Sequence, residues 1–79
     1  MLRYPRIEVI KHTSFVPTYW EEYEVQTMRP NRPMKSKYGM SKAQANAYAR
    51  HELSLLKKEG YSKVVYNSMM IELEKFIIP

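Results

Sequence analysis

The feature that most constrains this chain is one fully punctuated helix in its second half. Ser41-Lys-Ala-Gln44 matches a capping box, in which the Ser hydroxyl and the Gln side chain each satisfy the other residue's backbone N–H. Lys57 and Lys58 fall where a last turn favours cations, and Gly60 stands where a glycine ends a helix. Ala43, Ala45, Ala47, Ala49, Leu53, Leu55 and Leu56 supply high helix propensity between these ends. At about 100° per residue, Ala45, Ala49, Leu53 and Leu56 form a single apolar stripe flanked by Tyr48 and Leu55. Asn46, Arg50, Ser54, Lys57 and Lys58 lie opposite. A helix over 42–59 with one apolar stripe has to lie on something. A chain of 79 residues has no room for a second domain, so the remaining segments must supply a sheet.

Those segments read as strands. Residues 4–12 carry β-branched side chains, with Pro5 at the start, where its missing N–H costs least. Residues 19–28 alternate: Tyr19, Glu21, Tyr23, Val25 and Thr27 share the face expected to lean on the core, and Trp20, Glu22, Glu24, Gln26 and Met28 share a mostly solvated one. Residues 61–66 read as a third strand. Residues 69–77 fit a strand better than a short helix, with Asn67-Ser68 as a tight hairpin turn. Residues 29–40, with Pro30 and Pro33, read as a loop. The expected fold is one α+β domain over 1–79, with an antiparallel sheet of three or four strands, one amphipathic helix on one face, and the order β-β-α-β(β). The expected core is Ile7, Val9, Tyr23, Val25, Ala45, Ala49, Leu53, Leu56, Val65, Ile71 and Leu73.

Glu52 falls inside the apolar arc of the helix, between Tyr48 and Leu56. A buried carboxylate without partners is costly, so it calls for an Arg or Lys from the sheet or a Tyr hydroxyl; a site carboxylate is the alternative.

Charge is distributed in a block. The chain has 13 Lys and Arg against 8 acids, all of them Glu. Arg29, Arg32, Lys35, Lys37, Lys42 and Arg50 follow one another with no acid between Glu24 and Glu52, and the rest of the chain is nearly neutral. Cations of this kind neutralise phosphates and release counterions, and Tyr38 among them could stack on an unpaired base.

Catalytic chemistry has little to build on. The chain has 2 His, no Cys, no Asp and 2 Gly, which give no metal-ligand spacing, no thiolate and no phosphate-cradling glycine loop. His51 and Glu52 are adjacent on a helix and point about 100° apart, so they are not a ready dyad. No enzymatic activity and no cofactor are expected. The absence of Cys, of a bilayer-spanning apolar run and of a signal peptide fits a cytoplasmic protein that does not enter a membrane.

The expectation is therefore a non-catalytic binding module. Its first form contacts nucleic acid, DNA or RNA, through Arg29, Arg32, Lys35, Lys37, Tyr38, Lys42 and Arg50, with loop 29–42 gripping phosphates. Its second form is a small accessory protein, of the kind phages and other mobile elements encode, that binds a larger host protein and modulates or inhibits it. That form uses an acidic partner surface opposite the basic block, with Trp20, Met28 and Met34 as apolar contacts. A Met- and Ile-rich C-terminal edge strand also invites a homodimer.

Overall fold

The computed structural model describes residues 3–75, and its elements alternate around the capped helix. Strands β1 (Arg6–Ser14), β2 (Trp20–Met28) and β3 (Lys35–Met40) precede helix α1 (Lys42–Lys58), and strands β4 (Lys63–Tyr66) and β5 (Met69–Glu72) follow it. A 3-10 turn, Leu73–Lys75, closes the described chain. The class is α+β, with all five strands in one sheet of order β3-β2-β1-β4-β5 and α1 against one face.

The helix forms as its sequence dictates. Ser41 Oγ accepts from the Gln44 N–H at 3.2 Å, and Gln44 Oε1 accepts from the Ser41 N–H at 3.0 Å. Gly60 takes φ +99°, the left-handed conformation that lets the chain leave the helix. Ala45, Ala49, Leu53 and Leu56 are all buried, as the stripe requires, and they meet Ile7, Val25, Met40, Val64 and Leu73.

The sheet departs from expectation in three ways. First, the segment 29–40 is a loop only as far as Met34; Lys35–Met40 is an edge strand paired antiparallel to β2. Its composition is that of a guarded edge, with lysines and a bulge in place of apolar alternation, and this hid it in the sequence. Tyr23 pairs with Met40 but Val25 with Lys37, so Tyr38 and Gly39 together oppose Glu24. Gly39 makes the bulge affordable at φ +74°, and the phase shift returns Met40 to the core. Second, the sheet is mixed. The helix carries the chain back so that β4 lies parallel to β1, through Arg6↔Val65 and Ile7↔Tyr66. Asn67 Oδ1 then accepts the Val9 N–H at 2.8 Å, where the short parallel ladder ends. Third, β5 stops at Glu72 and the chain turns into the 3-10 segment; positions 76 and 77 of the expected strand lie outside the described residues.

The phase of β4 also differs from the sequence reading. Val64, not Val65, is fully buried, because Val64 and Tyr66 face the helix side while Val65 pairs with Arg6 on the other. Two adjacent valines gave no phase by themselves. Val9, Tyr23 and Ile71 pack against the core while remaining partly exposed. Tyr19, expected to lean on the core, is exposed, because the β1–β2 hairpin runs on beyond the helix. The turn at Asn67-Ser68 is present, with both residues at positive φ as a two-residue hairpin requires.

The β4 phase is testable in urea. Val64→Ala should lower the unfolding free energy by about 2–3 kcal/mol, and Val65→Ala by less than about half of that. Equal losses would contradict the assigned faces.

Candidate functional site

The helix side of the sheet holds the basic block, and its organiser is Glu52. The Glu52 side chain is completely buried. Its Oε1 accepts from Lys35 Nζ at 3.1 Å, from the Tyr48 hydroxyl at 3.1 Å and from the Thr27 hydroxyl at 3.3 Å. Oε2 is buried with no hydrogen-bond partner among the described residues. One carboxylate thus ties α1 to β2 through Thr27 and to β3 through Lys35. It meets both a sheet lysine and a Tyr hydroxyl, as its place in the apolar arc calls for. Bonding to Glu52, and then to Tyr48, holds the Lys35 ammonium above the ordinary lysine range. Lys37 lies over the Tyr48 ring at 4.8 Å from its centroid, a cation–π contact on the same flank of the helix.

Arg29 is also engaged. Its Nε and Nη2 donate to the two oxygens of Glu59 at 2.9 and 2.7 Å, a bidentate clamp between the end of β2 and the C-cap of α1. That clamp raises the Arg29 pKa and holds the Glu59 carboxyl below the ordinary carboxylate value.

The basic block is therefore not a single mobile loop. Arg29, largely covered, and Lys35, whose side chain stays 56% exposed, tie the block to α1, and Arg32, Lys37, Lys42 and Arg50 are exposed as well. Tyr38 is exposed too, but one residue along β3 from Lys37 it projects from the opposite face of the sheet. It lies on the Glu24 side there, where it helps to hold that carboxyl below its ordinary pKa, and does not stand among the cations.

The open face of the sheet has a different character. Glu24, expected to be solvated, is only 3% exposed. Its Oε1 lies 2.7 Å from His12 Nε2, and its Oε2 accepts from Gln26 Nε2 at 3.0 Å. The Gln26 amide first, and then His12, holds the Glu24 carboxyl below its ordinary pKa. The Tyr38–Gly39 bulge covers Glu24 from the β3 side. The signal for this cluster was the β1–β2 register, which pairs His12 with Glu22 and leaves Glu24 diagonal to it on the same face. Sequence alternation gave the face, but not the burial that a bulged neighbour adds.

The two sides differ in charge. The helix side carries Lys11, Arg29, Arg32, Lys35, Lys37, Lys42, Arg50, Lys57 and Lys58 against Glu21, Glu52 and Glu59, a formal +6. The strands of the open face carry Arg6 and Lys63 against Glu8, Glu22, Glu24 and Glu72, a formal −2.

The apolar contacts of the second expectation do not form one patch. Trp20 and Met28 stand at opposite ends of the nine-residue strand β2, and Met34 lies in the loop beyond. Trp20 instead belongs to the hairpin tip, where Phe15, Val16 and Tyr19 are also exposed and the Phe15 and Tyr19 rings lie 5.4 Å apart. Among the described residues no three His or Glu side chains form a group that could hold a metal ion, and no helix is long and apolar enough to cross a membrane. Comparison with protein-family models, with curated proteins and with solved structures finds no match.

The Glu24 cluster has a pH consequence. A carboxylate with a depressed folded pKa stabilises the fold above the unfolded value of about 4.3 and loses that contribution as pH falls through the folded one. Glu24→Gln should therefore be less stable than wild type near neutral pH, and the gap should narrow as pH drops below the ordinary carboxylate range. Thermal unfolding across that range reads it; a gap independent of pH would contradict the assignment.

Proposed function

We propose that this protein is a non-catalytic binding module that contacts nucleic-acid phosphates with its helix-bearing side. The observation that carries the reading is the segregation of charge: a surface at formal +6 is backed by a sheet face at −2, so an approaching polyanion is oriented as well as attracted. Arg32, Lys37, Lys42 and Arg50 are its phosphate contacts. Arg29 and Lys35 hold the surface in place through Glu59 and Glu52. Lys42 opens the first turn of α1, where backbone N–H groups add to the attraction for an anion. With Tyr38 on the other face, stacking on a base has no part in this contact.

A second reading has its own observation. Phe15, Val16, Tyr19 and Trp20 expose large apolar side chains at the tip of a hairpin, a surface suited to a pocket on a larger protein that this chain would modulate or inhibit. The two readings use different side chains, so tip and cation variants separate them.

The test is a salt titration of binding to generic duplex DNA and to single-stranded RNA. Affinity should fall log-linearly with salt. For duplex DNA each of Arg32→Ala, Lys37→Ala and Lys42→Ala should reduce the slope by about 0.9 if it removes one phosphate contact. Trp20→Ala should leave the slope unchanged. No binding to either polymer at low salt would eliminate the phosphate reading.

A further inference from the structure

We propose that two copies of this chain pair through β5, antiparallel edge to edge, to form a continuous ten-stranded sheet. The contact rests on the backbone of β4 and β5 and is independent of the phosphate reading.

The two edges of the sheet are built differently. β3 is guarded: Lys35 and Lys37 lie along it, and the Tyr38–Gly39 bulge breaks its ladder. Charged side chains and bulges of this kind keep an edge from pairing with another chain. β5, at the far end of the order β3-β2-β1-β4-β5, has no proline, no bulge and no lysine. Its Met69 and Met70 are 70% and 52% exposed. The charges beside it balance, Lys63 and Lys75 against Glu72 and Glu74, and Lys75 Nζ pairs with Glu72 Oε2 at 3.1 Å. A second copy of this chain, at net charge +5, therefore meets no excess of positive charge at this edge.

The hydrogen-bonding direction of β5 follows from its neighbours. The Val65 N–H donates to Pro5 O and the Asn67 N–H to Ile7 O, so these residues of β4 face β1. Val64 and Tyr66 therefore face β5, and their partners Ile71 and Met69 turn their backbone groups inward. The N–H and C=O of Met70 and Glu72 are left pointing outward.

A two-fold axis through the Met70 pair uses these groups. The Met70 N–H of each copy donates to the Met70 C=O of the other. Side chains on one face must pair with side chains on the same face, so Met70 meets Met70 on the open face, and Met69 meets Ile71 in both directions on the helix face. The Met70–Met70 and Met69–Ile71 pairs of this register are apolar, and Glu72 falls opposite Ser68. The shallow depression lined by Met70, Ile71, Glu72 and Lys75 receives the partner's methionine. The ladder is short, so the dimer is weak and concentration-dependent. A two-fold perpendicular to the sheet places both helices on the same side. Where the phosphate reading holds, the dimer therefore presents two basic surfaces to one polyanion, and binding there raises the local concentration of the second copy.

The test is sedimentation of the full chain from about 10 µM to about 1 mM, the range of weak self-association. The weight-average mass should climb with concentration from one chain toward two. Met70→Pro removes only an outward N–H, and Met70→Lys sets two ammonium groups together at the axis; both should stay monomeric. The exposed Met70→Lys position should keep the wild-type circular dichroism and melting curve, so it decides the matter if the proline variant is misfolded. Lys37→Glu, on the other edge, should associate at least as well as wild type. A wild type that is monomeric throughout, or a Met70→Lys variant that dimerises as well as wild type, would overturn the proposal.

Discussion

The Glu52 carboxylate is the joint on which this fold turns. A charge in a dry interior costs several kcal/mol unless donors surround it. Glu52 Oε1 collects three donors, one from the helix, one from β2 and one from β3, so three elements must be in place before the charge is tolerable. Apolar packing under α1 does not depend on this group: Ala45, Ala49, Leu53 and Leu56 bury their surface against β1, β2 and β4 regardless. Among contacts with the helix, β3 relies far more on Glu52. It is a six-residue edge strand whose apolar contribution to the core is Met40, and Lys35 secures its other end. The same pair sets what the basic block can do. Lys35 is held to Glu52 and Arg29 to Glu59, so the surface presented to a partner is more rigid than a cationic loop would be.

The arrangement also divides the molecule into two electrostatic sides. Inward lysines on β3 follow the helix, while the bulge at Tyr38–Gly39 turns an aromatic side chain to the open face and covers Glu24. A single irregularity in an edge strand thus separates the tyrosine from the cations that surround it in sequence. It also returns Met40 to the core and buries a carboxylate next to His12. These consequences belong to one glycine at positive φ.

Local rules carried much of the fold. The helix and both caps, the long hairpin β1–β2, the tight turn at Asn67-Ser68 and the need of Glu52 for a lysine or tyrosine partner are all short-range patterns, and all are present. What was not legible depends on distant neighbours. β3 has the composition of a loop because it is an edge, and only pairing with β2 makes it a strand. Val64 and Val65 are chemically alike, and only the parallel pairing with β1 says which one faces the helix. For the site, the cations were legible as a block, but Arg29 and Lys35 could be told from Arg32 and Lys42 only once Glu59 and Glu52 were placed opposite them. The His12–Glu24 pair needed the hairpin register and the bulge together.

Hydrogen exchange on a Lys35→Met variant tests the role of Glu52 most directly. Replacing the ammonium with an apolar chain of similar length leaves the buried carboxylate without its cation while sparing the strand's packing. The β3 amides should then exchange faster by about tenfold or more, the effect of losing roughly 1.4 kcal/mol of local protection, while the amides of β4 and β5 keep their rates. Unchanged protection of β3, or a uniform loss across all five strands, would contradict the place given to this ion pair.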